Sequence, residues 1–385
     1  MAKDLSIYVH IPFCVRKCLY CDFLSFNAGE ELIDKYFMAL KKEVVYSSEK
    51  YKDYEVKSVF FGGGTPSFPD SNYICDILSA IRENFSVFDG AEITLEMNPG
   101  TASFDKMKEY LSAGINRLSI GAQSLNDREL KCLGRIHDAE TFLETFKMAR
   151  EAGFENINVD LMSAIPDQSV ESYLETLKKV TELSPEHISA YSLIVEEGTP
   201  FFDMDLNLVS EDDERKMYHE TRRILSELGY HRYEISNYAR DGYECYHNKV
   251  YWDYGFYLGL GLGASSMVDY IRWRNTTNID KYLEASKDKK MPQKICRELQ
   301  ELEKADRMEE FMFMGLRMNR GISYNRFKEM FGADIEDVYD DVIEKYCKMG
   351  LLEKERSDSG EDTLLRLTEE GMDVSNTVMA DFMLV

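Results

Sequence analysis

At 385 residues, the chain is long enough for one domain of barrel size and a second, smaller one. Its composition, 44% hydrophobic and 30% charged, is that of a soluble globular protein, and no apolar run approaches the roughly 18 residues needed to span a bilayer. The 46 Lys and Arg against 70 Asp and Glu give a net charge of −24, which disfavours nucleic acid as a partner.

The start of the chain and the cysteines indicate the compartment. The first ten residues lack the apolar core and the small-residue cleavage site of a secretion signal, so we expect a cytoplasmic protein. Three of the eight cysteines cluster near the start, and the others are scattered as free thiols are in a reducing compartment. The scattered cysteines are Cys75, Cys132, Cys245, Cys296 and Cys347.

The first predicted strand, Leu5 to Ile11, leads into a loop with three cysteines. Cys14, Cys18 and Cys21 follow C-x3-C-x2-C, which is too tight for three positions on one helical face and suits a loop around a small inorganic centre. A four-iron, four-sulfur (4Fe-4S) cluster normally takes four cysteines. Three cysteines would therefore leave one iron with an open position for a substrate or cosubstrate.

Two other interpretations of these cysteines stay open at this point. A zinc site could be completed by His10 or Asp22, although zinc motifs usually come as two paired half-sites. The three thiols could also be unrelated buried groups.

A glycine-rich turn follows the second predicted strand. The stretch Ile33 to Val45 has the pattern of an amphipathic helix, and Val56 to Phe61 predicts a strand that ends in GGGTP at residues 62–66. Successive glycines expose backbone N–H and C=O groups and tolerate positive φ. The turn therefore lets a ligand approach the main chain.

Four more β-rich runs alternate with helical segments, which predicts a parallel sheet wound by crossover helices. These predicted strands are Ala91 to Met97, Arg117 to Gly121, Asn156 to Met162 and His187 to Ile194. Polar residues at or near the carboxyl ends of several strands, such as Glu96 and Asp160, stand where a β/α barrel builds its site.

The chain resembles the radical S-adenosylmethionine (SAM) superfamily and, within it, the oxygen-independent coproporphyrinogen III oxidase-like family. The segments that carry the resemblance are YVHIPFC, GGGTP, EMNP, LSIGAQS and VDLM, with the cysteine spacing. The resemblance implies an α/β fold, a partial (β/α)6 radical-SAM barrel with a C-terminal helical, winged-helix-like domain. One departure is SAIPD at residues 163–167, where the family has Tyr-Gly-Leu-Pro-Gly, so the shape of that loop is not carried over.

The same resemblance implies the cofactors and their residues. Cys14, Cys18 and Cys21 would hold a 4Fe-4S cluster whose open iron binds S-adenosyl-L-methionine, abbreviated SAM. Nine residues would contact SAM or line its pocket. They are Tyr8, Tyr20, Gly63, Gly64, Thr65, Glu96, Gln123, Arg135 and Asp160.

Two branches of the family differ at the cysteine loop. True coproporphyrinogen III dehydrogenases carry a fourth cysteine two residues after the third, and an extra N-terminal segment helps to bind the porphyrinogen. Phe23 stands at that position here, and the barrel is predicted to begin almost at Met1. We therefore expect the heme-chaperone branch, without coproporphyrinogen III dehydrogenase activity.

The segment near residues 245–252 is the candidate heme site. It reads CYHNKVYW and contains His-Asn-x-x-Tyr-Trp, and imidazole is a common axial ligand of heme iron. A histidine among tyrosines is, by itself, more often a packing residue. The match to the heme-chaperone branch assigns heme to His247, Asn248, Tyr251 and Trp252, with Cys245 as a second candidate ligand.

The end of the chain predicts a separate domain. Residues 257–266 are glycine-rich but lack the following helix and the acidic residue that a dinucleotide loop needs. The resemblance to the family implies that they close the SAM pocket. We place the radical SAM barrel at residues 1–285 and the helical, winged-helix-like domain at 286–385. Because that domain carries many acidic residues, we expect packing or docking rather than DNA binding.

The sequence thus predicts a heme chaperone that binds a 4Fe-4S cluster, SAM and heme. The expected partners are heme donors, acceptor hemoproteins such as membrane respiratory enzymes, and an electron donor such as flavodoxin or ferredoxin; a homodimer is also considered. The alternative is an oxygen-independent coproporphyrinogen III dehydrogenase in porphyrin biosynthesis.

Overall fold

One twisted sheet organises most of the chain. The computed structural model describes residues 2–357 and 360–383, so the outer ends of the two predicted domains, residues 1 and 385, lie outside the described residues. The strands of the sheet are β1 (Lys3–Ile11), β2 (Tyr54–Gly63), β3 (Ser86–Met97), β4 (Arg117–Gln123), β5 (Ile157–Ser163), β6 (His187–Ser192), β7 (His231–Arg232), β8 (Asn237–Ala239), β9 (Tyr257–Leu260), β10 (Ser265–Val268), β11 (Ile271–Asn275) and β12 (Cys296–Glu301).

Strands β1 to β6 are parallel and adjacent in sequence order, and they form the predicted partial (β/α)6 barrel. The full strand order is β12-β11-β10-β9-β1-β2-β3-β4-β5-β6-β8-β7. Strand β9 runs parallel to β1, whereas the other added strands pair antiparallel at the two edges. The six predicted strands are confirmed, with ends that differ by a few residues.

Apart from α8 (Tyr246–Trp252), which lies against the barrel interior, the helices cover one face of the sheet. Those of the barrel region are α1 (Glu30–Ser48), α2 (Ser71–Asn84), α3 (Phe104–Ala113), α4 (Asp127–Cys132), α5 (Ala139–Ala152), α6 (Val170–Glu182), α7 (Glu211–Glu227), α8 (Tyr246–Trp252), α9 (Ile279–Ala285) and α10 (Met291–Ile295). Ser103, Asp138 and Ser169 cap the starts of α3, α5 and α6 by accepting backbone N–H groups. Left-handed Gly114 and Gly153 end α3 and α5, so short turns return the chain to the sheet.

The strand side chains alternate between an apolar face and a polar face. Ile7, Leu95, Ile120 and Val159 are fully buried in the core beneath the helices. The alternate positions are polar and face the barrel interior. They include Ser6, Tyr8, His10, Glu92, Glu96, Arg117, Ser119, Asn158, Asp160, His187, Ser189 and Tyr191.

The C-terminal region has its own core. Its helices are α11 (Lys304–Gly315), α12 (Tyr324–Phe331), α13 (Glu336–Lys348), α14 (Glu369–Asp373) and α15 (Ser375–Ala380), and its strands are β13 (Ile322–Ser323), β14 (Leu352–Arg356) and β15 (Thr363–Leu367). The strand order β13-β15-β14 gives the winged-helix-like unit a third strand that the sequence did not reveal. Strand β12 still belongs to the large sheet, and the domain boundary at residues 285/286 stays a prediction.

The short helix α8 begins on a carboxylate from another element. The Glu92 carboxylate on β3 accepts the backbone N–H groups of Tyr246 (2.9 Å) and His247 (3.0 Å) and the thiol of Cys245 (3.4 Å). Cys245, the N-cap residue, provides no side-chain cap of its own. Glu92 therefore fixes α8 against the barrel.

Across the described ranges, 2–357 and 360–383, the chain contains no helix that is both long and apolar enough to cross a membrane.

Replacing Glu92 by Gln should lower the free energy of unfolding by about 1–3 kcal/mol, because charged hydrogen bonds to the start of α8 are lost. Urea unfolding followed by tryptophan fluorescence measures this, since Trp252 lies on α8. Glu31→Gln, on the exposed surface of α1, is the matched control and should not shift the transition. Equal transitions for both variants would refute this role of Glu92.

Candidate functional site

The cysteine loop between β1 and α1 is closed by main-chain hydrogen bonds. Cys14 N–H donates to the Phe26 carbonyl (3.0 Å), and Phe26 N–H donates to the Pro12 carbonyl (2.8 Å). The Phe13 ring packs edge-on against the rings of Phe26 (5.7 Å) and Tyr36 (5.2 Å). The loop thus starts and ends on the hydrophobic core, which leaves its middle to hold the cysteines.

The three cysteines are free thiols that interact electrostatically with one another. Cys14 is buried, and Cys18 and Cys21 are half-buried. Burial is the main reason that the pKa of the Cys14 thiol is raised and that of Cys21 is raised to about 11, and charge repulsion from neighbouring cysteines contributes to both. Three soft sulfur donors that are costly to ionise together are suited to a cationic iron centre, which keeps coordinating thiols deprotonated.

A chain of polar side chains connects two of these cysteines. The Arg135 guanidinium donates to Cys18 Sγ (3.7 Å) and to Asn98 Oδ1 (2.7 Å). Asn98 Nδ2 donates to Thr65 Oγ1 (2.8 Å), which lies 3.4 Å from Cys14 Sγ. The predicted residues Thr65 and Arg135 are therefore brought together, and Asn98, which the sequence analysis missed, joins them.

The GGGTP turn lies directly against the cysteine loop. Gly64 N–H donates to the Ile11 carbonyl and Thr65 N–H to the Phe13 carbonyl, each at 2.8 Å. A Cβ atom on Gly64 would stand 2.7 Å from the Phe13 carbonyl oxygen and 2.9 Å from that of Ile11. Glycine is needed here because two backbone segments meet.

Glu96 and Asp160 place two carboxylates in the barrel interior. Glu96 Oε2 accepts the Gly63 N–H (3.1 Å), while Asp160 accepts from Ser119 (3.2 Å) and Asn158 (2.7 Å). Burial, followed by the charge of Asp160, raises the pKa of Glu96 to about 7. Burial also raises the pKa of Asp160. The pair can therefore accept hydrogen bonds from ligand hydroxyl or amino groups.

The remaining predicted SAM residues line the same interior. Tyr8 contacts His10 through its hydroxyl (Oη to Nδ1, 3.1 Å), and Glu96 lies close enough to raise the Tyr8 pKa together with burial, the larger cause. Gln123 accepts a hydrogen bond from Tyr191 (2.9 Å). Tyr20 is half-buried beside Arg135, whose charge opposes the rise that burial causes in the Tyr20 pKa.

The structure argues against His10 as a ligand in the zinc interpretation of the cysteine loop. His10 Nε2 lies 2.8 Å from the Leu24 carbonyl and Nδ1 lies 3.1 Å from the Tyr8 hydroxyl, so both ring nitrogens have partners. Within the part of the chain that the structure describes, no three His, Cys, Asp or Glu side chains converge on a single ion. A cluster of four irons is larger than one ion and takes more widely spaced sulfurs.

His247 lies at the amino ends of the strands, away from the cysteine loop. Its Nδ1 is 2.8 Å from Ser58 Oγ and its Nε2 is 3.0 Å from the Tyr251 hydroxyl. The ring stacks on Phe60 (5.0 Å), and burial lowers its pKa to about 3. His247 is thus a neutral imidazole without a free nitrogen in this conformation.

The other residues of the predicted heme segment face different surroundings. Cys245 is fully buried, and burial raises its pKa to about 12. The Arg317 guanidinium lies over the Trp252 ring, 4.3 Å from the ring centroid. Asn248 is half-buried. The structure therefore brings His247 and Tyr251 together but places Trp252 against the C-terminal region.

Sequence reasoning also missed Glu92, Ser58 and Tyr191. Glu92 could have been found, because it stands four residues before Glu96 on β3 and so faces the same side. Asn98 directly follows that strand in the EMNP segment. Ser58 and Tyr191 carry no local signal, since their roles depend on which side chains face them across the barrel.

A partial barrel of parallel strands with three cysteines in the loop after β1 defines the class of radical SAM proteins. The sequence profile of the Radical SAM superfamily matches residues 8–180, and that of the HemN C-terminal domain matches residues 302–374. Curated relatives extend the similarity over nearly the whole chain. The heme chaperone HemW of Bacillus subtilis (strain 168) is 34% identical over 98% of this chain and 99% of its own length.

Two further similarities agree with that match. HemW of Escherichia coli (strain K12) is 37% identical over 81% of this chain and 86% of its own. The crystallographically known coproporphyrinogen III oxidase HemN of Escherichia coli superposes with a TM-score of 0.85 over 99% of this chain and 90% of its own, at 24% identity, which shows the fold. The chain belongs to the family of radical SAM proteins that includes the heme chaperone HemW.

The Gly64→Ala variant should separate the GGGTP turn from the cysteine loop, since the new Cβ meets two backbone carbonyls. We expect a loss of about 1–3 kcal/mol in the free energy of unfolding, from overpacking against main chain. Gly29→Ser is the control, because a Cβ there has no atom within 4 Å, the backbone is extended and serine is favoured at this N-cap position of α1. Denaturant unfolding of both variants tests the prediction, and similar losses in the two would contradict it.

Proposed function

We propose that this protein is a cytoplasmic heme chaperone of the radical SAM family, which binds a 4Fe-4S cluster, SAM and heme and delivers heme to acceptor hemoproteins. The observation that carries this proposal is the similarity to HemW of Bacillus subtilis, which spans 98% of one chain and 99% of the other. Phe23, where a dehydrogenase of this family would have a fourth cysteine, favours the same branch.

The cluster is proposed to bind Cys14, Cys18 and Cys21. When bound, a cluster with one open iron chelates SAM and supplies the electron for its cleavage. Two side chains contact the sulfur atoms of these cysteines: the Arg135 guanidinium donates to Cys18, and the Thr65 hydroxyl contacts Cys14. The Thr65 contact favours the thiolate form of Cys14, because it lowers the pKa of that thiol against the rise that burial causes.

SAM is proposed to bind between the GGGTP turn and the interior carboxylates. Gly63 and Gly64 bring the main chain to the pocket, and Glu96 and Asp160 offer acceptors for the hydroxyl and amino groups of SAM. Tyr8, Tyr20, Gln123 and Arg135 complete the lining. The hydrogen bond from Gly63 N–H to Glu96 holds the first carboxylate toward the turn.

Heme is proposed to bind at the α8 segment, with His247 as the candidate ligand from the motif. Ligation would require His247 to give up its hydrogen bond to Ser58 or to Tyr251. The partners stay predictions: the acceptor hemoproteins, among them membrane respiratory enzymes; the flavodoxin or ferredoxin electron donor; and a second copy of the chain in a homodimer.

One experiment separates the chaperone from the dehydrogenase. Anaerobically reconstituted protein is incubated with SAM, a reductant and coproporphyrinogen III, and in parallel is loaded with hemin and mixed with an apo-hemoprotein such as apomyoglobin. We expect a Soret shift on hemin loading, transfer to the acceptor, and no protoporphyrinogen. Formation of protoporphyrinogen with catalytic turnover would overturn the proposal, as would the absence of hemin binding.

SAM affinity should depend on pH through Glu96. Its pKa of about 7 leaves the carboxyl neutral below that pH and ionised above it, and the ionised form is the stronger acceptor. The affinity should therefore rise, by up to about tenfold, from about pH 6 to about pH 8. Isothermal titration of the reconstituted protein measures it.

Two variants isolate the Glu96 contribution. Glu96→Gln should bind SAM more weakly and without this pH dependence, whereas Glu155→Gln on the exposed surface should behave as the wild type. A pH profile that is the same in Glu96→Gln and the wild type would exclude Glu96 as the titrating group.

A further inference from the structure

A cleft of about 900 Å³ lies between the amino-terminal end of the barrel and the C-terminal region. It is lined by the start of β1, by the turn after α8 and by α12, together with the face of α8 that carries Tyr246, Lys249 and Val250. His247 and Tyr251 face the barrel from the same helix. The volume is in the range of about 300–1,000 Å³ that small-molecule and cofactor sites occupy.

On one side of the cleft, two guanidinium groups lie next to the same carboxylate. Arg320 forms an ion pair with Asp253, and Arg326 lies 3.8 Å from the same carboxylate and donates to the Asp253 carbonyl. The nearby Asp253 only partly offsets the cost of burying the positive charge of Arg326, because burial lowers the pKa of Arg326 despite this carboxylate. An added anion would be stabilised here.

A second group of basic side chains shares another carboxylate. Glu244 accepts from Lys249 (2.5 Å) and from His231 (3.0 Å). Nearby Arg232 is 8% exposed and pairs with Glu369 (3.0 Å), and its Nε has no partner. The remaining acid on the wall, Asp4, is paired with Lys57 at 3.8 Å. In a chain of net charge −24, this cleft is thus a local surplus of positive charge.

The rest of the lining is largely aromatic and apolar. Phe256 packs edge-on against Tyr270 (5.3 Å), and Tyr246, Val250 and Met330 also line the cleft. Flat aromatic faces beside separated cationic groups are suited to a flat aromatic ligand with acidic substituents at its edge.

We propose that this cleft binds the heme, with the porphyrin ring against the aromatic wall and its two propionates held by Arg320, Arg326 and Lys249. This inference rests on the proposed heme-chaperone function and names the surface that performs it. The cleft adjoins the outer face of α8, whereas His247 faces the barrel, so heme in the cleft is held by its ring and propionates and not by ligation to His247.

The position also separates heme from the cluster site. The cleft lies at the start of β1 and the cysteine loop follows its end, and nine residues of strand span about 26 Å. A ligand in the cleft is out of reach of chemistry at the cysteines. Heme bound there is carried and not altered.

The test is a hemin titration of the full-length, anaerobically reconstituted protein, with the Kd read from the Soret band. Arg320→Gln combined with Arg326→Gln should weaken hemin binding by about tenfold or more, because charged hydrogen bonds to a propionate are lost. Arg274→Gln is the matched control, since this arginine is paired with Glu298 outside the cleft. It should bind hemin as the wild type does.

Hemin dimethyl ester, whose propionates are uncharged, provides the complementary ligand. It should bind the wild type more weakly than hemin and should not distinguish the wild type from the double variant. Arg320→Gln alone keeps the test valid if the double variant is unstable, because the Arg320 side chain is 56% exposed. It should weaken hemin binding severalfold.

The outcomes separate the two proposals. Hemin binding that is unchanged in both cleft variants, or that is lost only in His247→Ala, would overturn the cleft site and leave the chaperone function standing. A wild-type protein that binds no hemin would overturn both. Weaker binding in the cleft variants, with an unchanged Arg274→Gln, would support the cleft.

Discussion

The structure depends on one constraint: polar side chains buried inside an incomplete barrel need hydrogen-bond partners on neighbouring strands. Asn158 illustrates it, since its side chain joins Ser119 (2.8 Å), Asp160 (2.7 Å) and His187 (2.6 Å) on three adjacent strands. Leaving such a buried group unpaired would cost about 1–3 kcal/mol. Such contacts join neighbouring strands into a network, and Thr94 Oγ1 and Arg117 Nε are interior atoms outside it.

Two segments outside β1 to β6 complete this network at opposite ends of the strands. The GGGTP turn, with Glu96, closes on the cysteine loop at the carboxyl ends, as Gly64 N–H reaches the Ile11 carbonyl. Helix α8 seals the amino ends, where Glu92 holds its first N–H groups and Ser58 contacts His247. The barrel therefore has the proposed cluster and SAM site at one end and the α8 segment at the other.

This arrangement gives a physical reason for a carrier on a radical-enzyme fold. A radical acts only on what lies beside it, and the proposed heme cleft stands at the far end of β1. The charge distribution agrees, since an acidic chain concentrates basic groups where a dianionic ligand would bind. The barrel network and α8 lie between the two proposed sites.

The sequence alone determined the parallel strands and the cysteine loop, because the alternation of β-rich runs with helical segments and the close cysteine spacing are patterns along the chain. It also predicted the glycine-rich turn and Glu96, since both stand at strand ends. Only the tertiary structure decided the contacts of Asn98 and Ser58, and showed that His247 has both ring nitrogens engaged. Those contacts join residues far apart in the chain, and the cleft beside α8 exists only where β1, α8 and α12 meet.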